Sequence, residues 1–262
     1  MAELIERARK NHPSLELSYS DEQQRQIDAY NALPGELDGY DCKDCKNRGY
    51  IAVMRKGEMS LTECRCMPIR RSLARIRKSG INEFYTLGNF QAREDWQKVF
   101  CKSAYSFAAL PTGWFFAGGQ VGCGKTHICT GIVRKLIETW KEARYMLWRD
   151  ESTVIKASVK YPEEYAALVE PLKTVDVLYL DDFLKTNNGQ PTIADFNLAF
   201  EILNARYNRT NLITIISSEF YLDEIVDMDE AVGSRIFERA RYYINNIQRD
   251  KRKNYRIVGI AG

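Results

Sequence analysis

The sequence predicts an α/β fold: a parallel sheet covered by helices on both faces, preceded by a small N-terminal helical and zinc-binding lobe. Three observations predict it. Residues 114–127 read WFFAGGQVGCGKTH, an apolar strand running into a glycine-rich loop and the start of a helix. Downstream, short apolar runs alternate with segments of helical periodicity, the pattern of parallel strands joined by helical crossovers. Upstream, four of the seven cysteines fall in two close pairs between residues 42 and 66.

The bulk numbers agree with this division. A chain of 262 residues holds one large domain or a main domain with an appendage, and the boundary is expected at 75/76, giving 1–75 and 76–262. The 45% hydrophobic and 28% charged fractions are those of an ordinary globular protein. A net charge of +3 is too small to argue for nucleic acid by itself. The charged opening MAELIERARKNHP has no apolar stretch and is not a secretory signal, and no apolar run reaches membrane-spanning length. A cytoplasmic protein without membrane contact is expected. In that reducing compartment the cysteines are metal ligands or buried thiols rather than disulfides.

Taken in order, residues 1–35 read as one or two short helices ending near Pro34-Gly35. Tyr50–Met54 and Met59–Thr62 flank Lys56-Gly57 as a hairpin. From Arg65 to Lys78 the chain is basic, with Arg70, Arg71, Arg75, Arg77 and Lys78, until Gly80 breaks it. Trp96–Ala109 is a helix, Trp114–Ala117 a buried strand, and Ile128, Ile132, Leu136 and Ile137 recur at helical spacing after the loop. Strands are expected at Ala143–Trp148, Val175–Leu180 and Leu212–Ile216, with a helix at Ile193–Tyr207. The remainder reads as mostly helical and basic.

The chemistry concentrates in four places. Gly119-Gln120-Val121-Gly122-Cys123-Gly124-Lys125-Thr126 fits G-x-x-x-x-G-K-[ST] at every fixed position. The glycines let backbone N–H groups turn toward a phosphate, Lys125 reaches the β- and γ-phosphates, and Thr126 ligates Mg²⁺. The helix that follows aims its positive end at the same anion. Val177–Leu180 is an apolar run ending in Asp181-Asp182. Asp181 is placed in the Mg²⁺ shell, and Asp182 orients or deprotonates the attacking water. Leu212–Ile216 ends in Ser217-Ser218-Glu219, where a polar side chain faces the γ-phosphate or simply caps the strand. Arg235 lies too far past that strand to reach its own phosphate, and serves either a neighbour's site or a surface ion pair.

Cys42-x-x-Cys45 and Cys64-x-Cys66 are brought together by the hairpin. Four thiolates around Zn²⁺ make a closed structural site, with an iron–sulfur cluster or a redox pair as the alternatives. Lys43, Lys46, Arg48 and Arg65 are placed to offset its negative charge. A lobe with so little apolar content draws its stability from the metal. Cys123 contributes its backbone rather than its thiol, and neither His12 nor His127 has a second ligand nearby, so both are non-catalytic.

In chain order the cysteine pairs, Ser79-Gly80-Ile81, GQVGCGKTH, LYLDD, Ile202–Tyr207, TIISSEF and SRIFERA resemble the DnaC/DnaI family of bacterial and phage helicase loaders, which are AAA+ ATPases. The resemblance covers nearly the whole chain and is strongest from about Ile81 to Arg256. It implies an AAA+ P-loop NTPase core without a C-terminal lid domain. It implies ATP and Mg²⁺ held by Lys125, Thr126 and Asp181, with the rest of the loop and His127 in the binding set. Asp182 would act on water and Arg235 would complete a neighbour's site, making Lys125, Asp182 and Arg235 the catalytic set. Arg256 resembles a late arginine on the nucleotide phosphates. Asp182 is one methylene shorter than the Glu many relatives carry, so hydrolysis is expected to be slow. Where family members usually have Asn, this chain has Glu219, and a carboxylate facing a γ-phosphate is repelled. Either Ser218 takes the sensor role or sensing is weakened.

The resemblance also implies partners: residues 1–75 binding a replicative DnaB-type helicase, the ATPase domain self-assembling in a ring or spiral, and contact with single-stranded DNA. Arg70, Arg71, Arg75 and Lys78 would track phosphates or form a solvated helix face. The rival readings are an IstB-type transposition helper acting on duplex DNA, a non-hydrolysing adaptor, and a P-loop kinase. The cysteine cluster argues against the first, the intact Lys125, Asp181 and Asp182 against the second, and the absence of a substrate-phosphate site against the third.

Overall fold

A computed structural model describes residues 13–139, 141–187 and 189–258. His12 lies outside the described residues. The chain divides into two compact units, Met1–Ala74 and Arg75–Gly262.

In the first unit, helix α1 (Pro13–Ala32) precedes an antiparallel hairpin of β1 (Tyr50–Arg55) and β2 (Glu58–Glu63). The hairpin turns at Lys56-Gly57, both at positive φ, with Arg55 opposite Glu58. Asn31 near the end of α1 pairs with both main-chain groups of Ala52, giving to its carbonyl and accepting from its N–H at 2.9 Å each. That satisfies backbone polar groups on the hairpin edge. Helix α2 (Cys66–Ser79) begins in this unit and continues into the next.

The second unit is a five-stranded parallel sheet in the order β4-β5-β6-β3-β7. Its elements are α3 (Asp95–Ala109), β3 (Trp114–Gly119), α4 (Lys125–Glu138), β4 (Ala143–Leu147), α5 (Trp148–Ala157), α6 (Pro162–Thr174), β5 (Val177–Asp181), α7 (Ile193–Tyr207), β6 (Ile213–Ser217), α8 (Leu222–Met228), α9 (Glu230–Ala240), β7 (Ile244–Ile247) and α10 (Tyr255–Val258). The three central strands β3, β5 and β6 are buried at every residue, as strands covered on both faces must be. The β3 crossover runs toward β4 while β7 joins from the other side. The chain therefore reverses its direction of travel at the carboxyl end of β3, where open parallel sheets bind ligands.

Two departures from the sequence reading matter. The tail past residue 230 is not simply helical: β7 pairs with β3 in register Phe116↔Ile244 to Gly119↔Ile247 and forms the sheet edge. Trp148, expected as the end of a strand, begins α5, and residues 149–174, given no elements by the sequence, hold the rest of α5 and α6. Among the described residues past β7 there is only a 3₁₀ turn at Lys251–Lys253 and the short α10, with no helical lid.

Packing fixes the sheet from both sides. Phe115 is fully buried and meets Phe100 and Phe107 of α3, with Tyr243 against Phe107. On the opposite face Trp148 stands edge-on to Phe183 within a core that includes Leu178, Leu180, Ile202 and Ile216. Arg206 of α7 is wholly buried without a carboxylate partner. Its guanidinium donates to Thr214 Oγ1 and to the carbonyls of Leu172, Val175 and Ile213 at 2.7–3.0 Å. Burial pulls its pKa down, yet a guanidinium stays protonated in proteins, and here carbonyl dipoles solvate it.

Candidate functional site

Every residue of β3 is buried, and the chain leaves the sheet at Gly119 in a loop that ends at the N-terminus of α4. Gly124, at φ 96°, precedes the first residue of α4, and a Cβ there would stand 2.6 Å from the Phe90 ring. At Gly122, φ 71°, a Cβ would stand 2.0 Å from Asn254 Oδ1. Glycine is required at both by backbone conformation and by space. Asn254 belongs to the C-terminal segment, which is held to the loop by a hydrogen bond from Tyr255 N–H to the Gly122 carbonyl.

A cleft of about 350 Å³ opens at this loop, lined by Val121, Gly122, Gly124, Lys125, Thr126, His127, Asp181, Asp182 and Arg256, together with Tyr85, Lys185 and Glu219. The structure thus brings together ten of the residues singled out by sequence, Glu219 among them, from four separate segments. Gly119 and Gln120 act through their carbonyls, which accept from Lys125 Nζ at 2.8 and 2.6 Å. Burial lowers the Lys125 pKa, countered by the nearby carboxylates of Glu219 and Asp182. Cys123 is buried, and burial pushes its thiol up, so its side chain stays neutral and its backbone shapes the loop.

Asp181 ends β5 as a buried carboxylate ringed by donors. Thr126 Oγ1 donates to it at 3.1 Å, Tyr145 at 3.1 Å, Tyr179 at 2.8 Å and the Asp182 N–H at 3.1 Å, with the Ser217 hydroxyl as a further donor. The Thr126 hydroxyl and the Asp181 carboxylate are hard oxygen donors side by side, the set that suits Mg²⁺. They would hold the ion, whose chemistry is to neutralise and polarise phosphate oxygens. Burial and the Asp181 charge raise the pKa of both tyrosines, keeping them as neutral donors.

Two sequence expectations are placed differently. Ser218 is buried with its hydroxyl committed to the Phe183 carbonyl at 2.8 Å, and it does not line the cleft. The serine that reaches the site is Ser217, through Asp181, because alternate residues of a strand face opposite ways. Glu219 does line the cleft, yet it is not a bare carboxylate: Lys185 Nζ sits 2.5 Å from its Oε1 and 3.1 Å from Asp182 Oδ2. Sequence reading missed Lys185, whose only signal is a lysine three residues past Asp182. It also missed Tyr85, which stacks on the His127 ring at 4.6 Å. His127 Nε2 lies 2.9 Å from the Thr86 carbonyl and 2.8 Å from Asn89 Oδ1, both acceptors, and burial lowers its pKa, so the neutral ring is a positioned wall of the cleft.

Arg235 lies outside the cleft. It donates to Asn204 Oδ1 at 3.1 Å and to the Ala231 carbonyl, and its guanidinium rests 4.6 Å from the centre of the Phe200 ring. The basic stretch is largely engaged inside its own units. Arg70 binds the Tyr40 carbonyl and Asn47 Oδ1, Arg71 pairs with Glu63, and Lys78 with Glu142.

In the first unit Cys42, Cys45, Cys64 and Cys66 are all buried, and their sulfurs lie within 4.8 Å of one another. The Cys42–Cys64 and Cys45–Cys66 separations are 3.7 and 3.5 Å, close to the edge of about 3.8 Å that a tetrahedron with Zn–S bonds of about 2.3 Å requires. None of the four is in a disulfide. The donor set fits Zn²⁺, with all four positions taken by protein and none left for substrate. Of the expected charge-offsetting residues, Arg65 feels the charges of Cys42 and Cys64. Lys46 and Arg48 bind carbonyls of Ala32 and Tyr30, and Arg65 pairs with Asp44. Arg70 opposes the upward push of burial on the Cys66 thiol.

No helix among the described residues is long and apolar enough to cross a membrane. Compared with known proteins, residues 82–239 match the model of the bacterial DnaA ATPase domain, more than half of the chain. The phage-like element PBSX protein XkdC of Bacillus subtilis (strain 168) is 31% identical over 245 residues, covering 87% of this chain and 91% of that protein. The uncharacterized protein YqaM of the same strain is 33% identical over 221 residues, covering 74% of this chain and 66% of that protein. Among solved structures, the DnaC helicase loader superposes with a TM-score of 0.55 at 17% identity, over 63% of this chain and 98% of that one. AMPPCP-bound DnaA from Aquifex aeolicus gives 0.52 at 22% identity, over 70% of this chain and 56% of that one. The fold, the P-loop at its switch point and the family match agree with the resemblance read from the motifs: the chain belongs to the bacterial DnaA ATPase-domain family, on the AAA+ fold it shares with the DnaC helicase loader.

Proposed function

We propose that this protein is a Mg²⁺-dependent, slow ATPase that loads a replicative DnaB-type helicase onto single-stranded DNA. The observation that carries the ATPase half is the single cleft in which the P-loop, Asp181, Asp182 and Arg256 converge. The loop N–H groups and Lys125 bind the phosphates, and Lys125 is already poised at the loop carbonyls. Thr126 and Asp181 would hold Mg²⁺. Asp182 orients the attacking water, and Arg256, which lines the same cleft, contacts the phosphates. Arg235 acts on the site of a neighbouring copy, since its own site lies elsewhere. The expected assembly is a ring or spiral, because a site completed in trans repeats head to tail.

The loader half rests on the kinship with DnaC-type folds and on the separate four-cysteine unit, which serves as the helicase-docking module. A closed Zn²⁺ site builds a surface and not a catalyst, which supports a recognition role. ATP then acts as a differential ligand, favouring the assembled state until hydrolysis releases the loader. The deciding experiment is a pull-down with mass measurement against a DnaB-type helicase, with ATP or ADP, comparing the full chain with one shortened to begin at Ile81. The expected result is a nucleotide-dependent complex that requires residues 1–80. ATP-driven assembly on duplex DNA with no helicase bound would replace the loader by the transposition-helper reading.

A further inference from the structure

Lys185 occupies a position that neither the binding set nor the mechanism above uses. It follows Asp182 by three residues, in a turn where Asp182 and Leu184 take φ of 50° and 64°. Non-glycine residues adopt that region at a cost, and such turns gather at functional sites. The turn delivers the Lys185 ammonium into the cleft that Lys125, Thr126 and Arg256 also line. There it bridges two carboxylates, Glu219 at 2.5 Å and Asp182 at 3.1 Å. All three side chains are 32% exposed, so the bridge contributes little to stability. Its position at the nucleotide cleft is the better account of it.

The chemistry of the site favours a role in discrimination. ATP and ADP differ by one phosphoryl group and its negative charge. A cation already shared between two acceptors moves to a third at small cost when that acceptor carries more charge. The shorter bond to Glu219 makes it the anchor, and the bond to Asp182 is the one to yield. Glu219, which looks repulsive in sequence, then presents a cation instead of opposing the phosphate. Asp182 is freed from its ion pair at the moment a phosphate is present to be attacked. No proton moves in this exchange: burial draws the Lys185 pKa down, but Glu219 and Asp182 outweigh it and raise it, so the amine stays charged.

We propose that Lys185, anchored by Glu219, is the residue that distinguishes ATP from ADP in this protein and that couples this distinction to the availability of Asp182. The proposal rests on the nucleotide-binding reading of the cleft. It is tested by titrating the full-length protein, with Mg²⁺, against fluorescently labelled ADP and the non-hydrolysable analogue AMPPCP. Lys185→Met is expected to weaken AMPPCP by about tenfold or more, the scale of one charge-assisted hydrogen bond, with ADP within about twofold of wild type. Lys185→Arg is expected to keep the preference, and Glu219→Gln to lose part of it while ADP binding holds. A Lys185→Met protein with an unchanged AMPPCP:ADP ratio, whether both affinities hold or both fall together, overturns the proposal. Lys125→Ala separates the two levels. If it loses both nucleotides while Lys185→Met keeps the wild-type ratio, only the role of Lys185 fails. If wild type binds neither nucleotide, or Lys125→Ala binds both as wild type does, the cleft reading fails and the proposal with it. Should Lys185→Met not fold, the Glu219→Gln ratio decides, an unchanged value counting against.

Discussion

In the unit from Arg75 onward, Phe115 lies with no exposed surface among Phe100, Phe107 and Tyr243, and a second cluster fills the other face of the sheet. Among the described residues of the unit ending at Ala74, the cysteines form a buried cluster with Ile51 and Met67 packed against it. The larger unit buries enough apolar surface to offset its chain entropy, whereas the described residues of the smaller one form no comparable core, and a metal held by its four sulfurs would supply the difference. One architecture tolerates gradual loss of packing. The other would then have a single point of failure.

The most severe break in that comparison is metal removal. Chelation, or Cys64→Ser, is expected to remove about 10 kcal/mol of metal-linked folding energy from the smaller unit. Hydrogen exchange then rises to unfolded rates across β1 and β2 while β3 and β5 keep their protection. A metal-free protein with a protected hairpin would sink the idea of a metal-held lobe. Next in size, Phe115→Ala is expected to cost about 3–5 kcal/mol in urea unfolding, confined to the larger unit. Equal loss of protection in the hairpin would show that the units do not fold separately. The smallest effect sharpens the picture of the larger unit. Thr192 and Asp195 cap α7 reciprocally, with Asp195 also bound to Lys156 at 2.5 Å. Thr192→Ala is expected to lower stability by about 1 kcal/mol, read as a shifted urea midpoint with an unchanged slope.

What could be read in advance follows the same physics. The P-loop, the Asp181-Asp182 strand end, the cysteine pairs and α7 were legible because each is local: fixed spacing, a continuous apolar run or a helical period. Strand β7 was not, because Ile244-Asn245-Asn246-Ile247 has no apolar run and exists by pairing with β3. In α5 and α6 the apolar stripe is thin, and Pro162 and Pro171 read as breakers, although the first sits at a helix start where proline is tolerated. The choice of Ser217 over Ser218 depends on which face of β6 points to Asp181, a register that one sequence does not fix. Lys185 and Tyr85 reach the cleft from loops, whose side chains no periodicity locates.

Arg206 gives the molecule a mechanical property. Its guanidinium grips the carbonyls just before β5 and at the start of β6, and the same residue is part of α7. Two residues earlier in that helix, Asn204 holds Arg235. At the far end of β5, about 13 Å along a five-residue strand, stands Asp181. Strand and helix are therefore bolted at one joint, with Asp181 at one end of the rod and Arg235 held by the helix two residues from the bolt. A push on Asp181 along the strand axis is borne by that joint, so a ring of such subunits would feel the filling of one cleft as stress on the next.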